Sequence, residues 1–333
     1  MRMRSNLASL LVIAVGGVGL GACGSVAQTN DGGGGSGGHD GAMDVAPPTV
    51  DEACGQYAST LCSRLNSCAP SVAQVLYGDA ATCMTRVALG CMRDMQAPDI
   101  TATTTDMVAC ARDAANATCD DLVNNNPPPS CQIKPGSRLN GEGCGSSWQC
   151  MSAHCEKTTS DCGVCAPRSA SGGTCTVTEG CTQGLACAAG KCVTPGALGA
   201  PCSDMAPCRG SLYCSAVSNT CATPLPLAAA CKGDNNACDF KTGAMCNFFA
   251  DMPKCEMVNV AKGGDACGIV NGTLTICIEF NTCNGISLIP LQTMGTCPNT
   301  AGDGQACTDA QHCLPPASCV GGLCRLPSTS CTK

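Results

Sequence analysis

The stretch GTCTVTEGCTQGLACAAGKCV, residues 173–193, places Cys175, Cys181, Cys187 and Cys192 at spacing C-x5-C-x5-C-x4-C. The same spacing returns at Cys307, Cys313, Cys319 and Cys324. Looser versions read Cys144, Cys150, Cys155 and Cys165, then Cys202, Cys208, Cys214 and Cys221. Two more follow at Cys231, Cys238, Cys246 and Cys255, and at Cys267, Cys277, Cys283 and Cys297. The first cysteines recur every 27 to 40 residues, approximately the period of a tandem array. Small-residue lead-ins precede several of them, as in GEGC, GGTC, LGAPC, GGDAC and GDGQAC.

Composition says what must hold such an array together. Only 2% of the 333 residues are aromatic, and the 44% apolar fraction is inflated by 35 cysteines. Between Cys175 and Cys192 the bulky apolar residues are Val177 and Leu185 alone. Their burial cannot offset a backbone entropy cost of roughly 1 to 2 kcal/mol per residue. Disulfides, at roughly 2 to 4 kcal/mol each, are required, and they place the chain in an oxidising compartment. A net charge of -7 without a basic cluster argues against a nucleic-acid partner.

Residues 1–22 read as a secretory signal, with Arg2 and Arg4 at the charged end, an apolar run over 7–15 and a small-residue exit. The run is too short and too glycine-rich for a good spanning helix. The exit, Leu20-Gly21-Ala22-Cys23, resembles the lipobox of bacterial lipoproteins. By that resemblance Cys23 becomes the first mature residue, acylated on sulfur and amino group, and Gly24 in place of Asp favours an outer membrane where there are two. Residues 23–50 then run through GGGGSGG to Pro47-Pro48 as a flexible tether carrying an inert His39.

Over 51–131 the pattern turns helical. Asp51 opens a segment with Cys54, Ala58, Leu61, Cys62 and Leu65 on one face, and Asp79 caps a second carrying Cys83, Val87 and Cys91. A third runs from about 105 to 115, and a short fourth after Cys119 stops at Asn124-Asn125-Asn126 and the prolines that follow. Eight residues of helix rise about 12 Å, beyond the roughly 7 Å that a disulfide spans. Cys54 therefore cannot reach Cys62, nor Cys83 reach Cys91. Antiparallel return through 66–78 lines up Cys54 with Cys91 and Cys62 with Cys83, leaving Cys68, Cys110, Cys119 and Cys131 for the last two helices. The fold class expected is small and disulfide-rich: a four-helix stapled unit, then over 140–333 about six four-cysteine modules with short β-hairpins. The best hairpin signal is Asn271-Gly272, followed by a strand with Leu274, Ile276, Ile278 and Phe280 on one face.

The first copy, CGSSWQCMSAHCEKTTSDCGVC at 144–165, looks like the start of the Dickkopf N-terminal cysteine-rich domain, and Cys181 to Cys192 resembles the same class of secreted modules. In animals that family antagonises a Wnt co-receptor. The resemblance rests on cysteine spacing with glycine and carries over no receptor-contact residue. The helix-plus-array order also looks like cysteine-rich bacterial lipoproteins.

Without Cys23 the cysteines number 34, and two stand outside the four-cysteine copies and the helical segment: Cys162 and Cys331, which either join each other or close locally. Cys162-Gly-Val-Cys165 matches a redox C-x-x-C but lacks the surrounding βαβ pattern, so it reads as structural. His154 and His312, each just before a cysteine, read as solvent-facing, and Trp148 as covering a disulfide or anchoring a partner. Asp234-Asn235-Asn236 lacks the rest of a calcium loop, and no G-x-S-x-G or HExxH motif is present. The expectation is a chain without catalytic residues, metal or cofactor. It acts as a membrane-anchored extracytoplasmic scaffold for binding or adhesion toward an extracellular or periplasmic protein or glycan. The alternative is a protease inhibitor or an accessory subunit of a secreted enzyme.

Overall fold

The computed structural model describes residues 46–123, 126–157, 161–231, 237–247, 252–288, 291–307 and 313–331. The leader, Cys23, His39, Asn124, Asn125, 234–236 and His312 lie outside the described residues.

Five helices open the described chain. α1 (Val50–Cys68) starts at a capping box in which the Thr49 hydroxyl accepts from Glu52 N while the Glu52 carboxylate accepts from Thr49 N at 2.8 Å. α2 (Pro70–Tyr77) begins on a proline, whose missing N–H is no loss in a first turn. α3 (Ala80–Met95) is capped by Asp79, which accepts from Thr82 N at 2.8 Å. α4 (Thr104–Ala114) has a second capping box from Thr103 and Asp106, and α5 (Cys119–Val123) is short.

Disulfides join α1 to α3 at Cys54–Cys91 and Cys62–Cys83, α1 to α5 at Cys68–Cys119, and α4 to the following turn at Cys110–Cys131. α2 occupies what the sequence presents as a connection between two helices. Its Val75 and Leu76 are the best-buried large side chains there, and Leu76 and Tyr77 pack with Leu65 on the Cys62–Cys83 bond. Covering that bond on the open side of the hairpin is worth about 2 kcal/mol for a buried leucine, enough to keep an eight-residue helix that would be marginal alone.

Beyond 138 the chain folds into small antiparallel hairpins around cystine. In every four-cysteine copy the first cysteine bonds the third and the second bonds the fourth, as in Cys144–Cys155 with Cys150–Cys165 and Cys307–Cys319 with Cys313–Cys324. A short backbone clamp accompanies the bonds. The residue three before the first cysteine has positive φ and donates its N–H to the fourth cysteine's carbonyl, at Gly141 to Cys165, Gly172 to Cys192, Gly199 to Cys221 and Ala228 to Cys255. The lead-in glycines supply that conformation, which alanine at 228 adopts at a cost. The hairpin itself lies between third and fourth cysteines, with Cys187 opposite Cys192, Cys214 opposite Cys221 and Cys246 opposite Cys255.

The copy at 267–297 is elaborated into a four-stranded sheet in the order Asn259–Ala261, Thr273–Cys277, Ala266–Val270, Met294–Thr296. Asn271 and Gly272 turn its hairpin with φ of 50° and 81°. The strand that follows is shorter than its alternating pattern suggests: it ends at Cys277, where its parallel partner also ends at Ala261, and Ile278–Phe280 forms a tight 3-10 turn. A disulfide to Cys297 holds Cys277 at that point, so the chain turns away before Ile278 and Phe280 can extend the strand.

The array returns to the helices. Arg86 of α3 pairs with Asp303 through both guanidinium ends, at 2.7 and 3.0 Å, and donates to the carbonyls of Leu314 and Pro315 at 2.7 Å. Cys162 bonds Cys331 across 169 residues, tying the first copy to the segment after the last. No helix among the described residues is long and apolar enough to cross a membrane.

Candidate functional site

Each pair of cystines holds a loop from both sides, so the loop between third and fourth cysteines is the part of a copy with freedom to vary and rigid ends. In the copies that start at 202, 231 and 267 these loops carry apolar side chains into solvent. Val217, between Cys214 and Cys221, is 83% exposed, and Met252, between Cys246 and Cys255, is 81% exposed. Ile286 and Met294, between Cys283 and Cys297, are also exposed. Leu198 and Leu227 add exposed leucines at the residue before the clamp in two consecutive copies. Tightness at the loop base is visible at Gly295, where a Cβ would overlap the carbonyl of Asn284, so these two backbones close on each other.

The ionisable residues gather elsewhere, between helices and array. His154 is buried at 5% exposure, with Gly180 of the next copy against its Nε2 edge, which corrects the solvent-facing expectation. Burial and the nearby Arg168 hold its pKa below the usual value, so the ring is neutral. It fills the junction between two copies where a charged imidazole would be desolvated. Trp148 is half-buried and packs against the cluster of Ala53, Cys54, Cys91 and Met107. Cys162 and Cys165, the two ends of the C-x-x-C, belong to different disulfides, Cys162 preceding and Cys165 ending the strand Gly163–Cys165 instead of opening a helix.

Two charged groups stand out that the sequence reading passed over. Glu279 is 4% exposed, has φ of 56°, and neither carboxylate oxygen has a hydrogen-bond partner among the described residues. Desolvation pushes its pKa up to about 8, with Arg86 pulling the other way. Its signal in the sequence is a lone charge between Ile278 and Phe280. Lys157 donates to the Gly145 carbonyl at 2.5 Å, and Arg93 donates to the same oxygen at 2.7 Å. Burial and the Arg93 charge lower the Lys157 pKa to about 8. Asp94 beside them is raised by burial. These groups are spent on backbone carbonyls and each other at the junction of α3 with the first copy, and none sets a nucleophile against a base.

Among the described residues, cysteine sulfurs form groups close enough to suggest metal ligation. Cys144, Cys150 and Cys165 lie with their Sγ atoms within 4.8 Å of one another, as do Cys175, Cys181 and Cys192, because two cystines stack in each copy. A zinc site needs thiolates, and each of these sulfurs is in a disulfide.

What the arrangement offers chemically is a set of covalently fixed loops with exposed apolar tips. No family model matches this chain, and neither a curated protein nor a solved structure is found to be similar to it.

Proposed function

We propose that this chain is a lipid-anchored extracytoplasmic scaffold that binds a protein or glycan partner through its cystine-held loops and performs no catalysis. In this reading residues 1–22 are removed, Cys23 is acylated, residues 23–50 act as a tether, and the helices over 51–131 form one stapled unit. Six four-cysteine modules over 140–333 display the loops, in the manner of the Dickkopf-like modules that the first copy resembles.

The observation that carries the proposal is the placement of Val217, Met252, Ile286 and Met294 on third-to-fourth-cysteine loops of three consecutive copies, exposed although apolar. A folded chain short of large apolar residues gains nothing for its own core by presenting them to water, and exposed apolar groups on rigid loops are suited to a partner. Loops already ordered lose less entropy on binding.

The test presents the oxidised and reduced chain to extracytoplasmic proteins and glycans, with V217S/M252S/I286S as the loop variant. Binding by the oxidised chain, lost on reduction and weakened at least tenfold by the triple substitution, supports the reading. Equal binding by the triple variant, with its disulfides mapped as native, defeats it. The anchor is tested separately by Cys23→Ser, which is expected to abolish acylation and detergent partitioning.

A further inference from the structure

We infer that the Cys162–Cys331 disulfide is a thiol-operated strap, whose opening frees residues 326–331 from the first four-cysteine copy while the cystines inside the copies stay closed. The inference is independent of what the loops bind.

The segment after Cys324 is received by the first copy through its backbone. Gln149, fully buried, donates through Nε2 to the Thr329 carbonyl at 2.8 Å and to the Pro98 carbonyl at 3.1 Å, and its Oε1 accepts from Gly145 N at 2.8 Å. Arg138 donates to the Cys331 carbonyl at 3.0 Å, and Asp161 accepts from Ser328 N. A Cβ on Gly145 would overlap the Ser328 carbonyl, so the two chains meet at a glycine with no room to spare. The segment's side of each of these polar contacts is main chain, and the disulfide adds a covalent link to the copy. Such a seat holds the segment when tethered and releases it when not.

The bonds differ in how readily they close again. The in-copy cystines span 11 to 20 residues, are stacked in pairs and are backed by the backbone clamp, so a reduced pair stays in place. Cys162 and Cys331 are 169 residues apart, against 12 for Cys175 and Cys187. Reclosing an in-copy bond is local to one hairpin, whereas reclosing Cys162 to Cys331 requires the terminal segment to be seated again. Cys331 is buried, whereas Cys162 is half-buried, so the attack is assigned to Cys162. In the step proposed, one thiolate of a small dithiol attacks Cys162 Sγ, the S–S bond breaks, and Cys331 leaves as thiolate and takes up a proton. The second thiol of the reagent then displaces Cys162, leaving two protein thiols and one cyclic disulfide of the reductant.

Folded protein titrated with dithiothreitol and pulse-alkylated with iodoacetamide tests this, with each cysteine mapped by mass spectrometry. Cys162 and Cys331 are expected to label at a dithiol concentration at least tenfold below that which labels Cys150 and Cys165, with hydrogen exchange rising at least tenfold over 326–331. Cys119 is exposed and bonded to Cys68, so labelling that begins at that pair would show that exposure sets the order and would overturn the strap. In C162S/C331S the segment is expected to exchange as in the reduced wild type and to ignore the dithiol. A double variant whose segment stays as protected as in the oxidised wild type would also overturn it, because the hydrogen bonds alone would then hold.

Discussion

Glu279 shows how much one side chain can impose. It is buried in the turn at Ile278–Phe280, which packs against α2, its carboxyl lacks a hydrogen-bond partner among the described residues, and its pKa is raised to about 8. In the unfolded chain a glutamate releases its proton near pH 4.3, approximately its ordinary value. Between those two values the folded state keeps a proton that the unfolded state has lost. Stability is therefore fully present below the unfolded pKa, falls as pH rises toward the folded pKa, and is flat above it. The slope is at most about 1.4 kcal/mol per pH unit. Urea unfolding with the disulfides intact is expected to find the wild type clearly less stable at pH 8.5 than at pH 5, and Glu279→Gln nearly indifferent. Parallel pH profiles for the two proteins would mean that the carboxyl is ionised and solvated in the fold. Gln149 is the contrasting case, a buried amide with its acceptor and donor sides both used, so that Gln149→Leu should cost about 2 kcal/mol by stranding Gly145 N and Thr329 O.

At the scale of elements, helices and hairpins rest on different forces. α1, α3 and α4 have capping boxes or a capping aspartate, α2 starts on Pro70, and together they bury Leu65, Val75, Leu76 and Met107. The cores of the hairpins are cystine with alanine: Cys144, Cys150, Cys155 and Cys165 in one copy, and Ala301, Ala317 and their cysteines in another. Full reduction is expected to remove the hairpin contribution and leave most of the helical far-ultraviolet dichroism, read by circular dichroism with and without reductant. Loss of the helical signal while the hairpins stay protease-resistant would reverse this division. Within the helices, Thr103→Ala removes one half of a capping box and is expected to lower stability by about 1 kcal/mol. The extra helix α2 was readable in principle: Val72, Val75 and Leu76 follow helical spacing behind Pro70. It passes unread because eight residues between two cysteine-marked helices look sufficient for a loop.

The whole molecule is decided by contacts between segments far apart in the chain. Arg86 of α3 uses its guanidinium on Asp303, Leu314 and Pro315, more than 200 residues away, and is almost entirely buried. Arg86→Ala strands those two carbonyls, while the half-exposed Asp303 regains water, so the cost is expected near 2 kcal/mol. Hydrogen exchange should rise over 313–325 first, and a uniform rise across the helices would instead mean that Arg86 supports α3 itself. A redesigned loop over 284–296 is expected to leave these contacts unchanged, since its ends are closed by the Cys277–Cys297 and Cys267–Cys283 bonds.

Sequence alone determined the local terms. Cysteine spacing, the near absence of aromatic residues and glycine before most of the first cysteines require a cystine-rich fold of small antiparallel hairpins, and the helical periodicity after Asp51 requires short helices ahead of it. Those properties depend on neighbours within about ten residues, which a sequence displays. Four cysteines in a copy admit three pairings, and only the tertiary structure shows first-to-third with second-to-fourth. It also joins Cys162 to Cys331, buries His154 under the next copy, and ends a strand at Cys277 that its alternation would have carried to Phe280. The physical reason is the same in each case. Burial, ion pairing and cross-linking depend on which distant surfaces meet, and chain spacing constrains the distance along the backbone without saying which groups face each other across it.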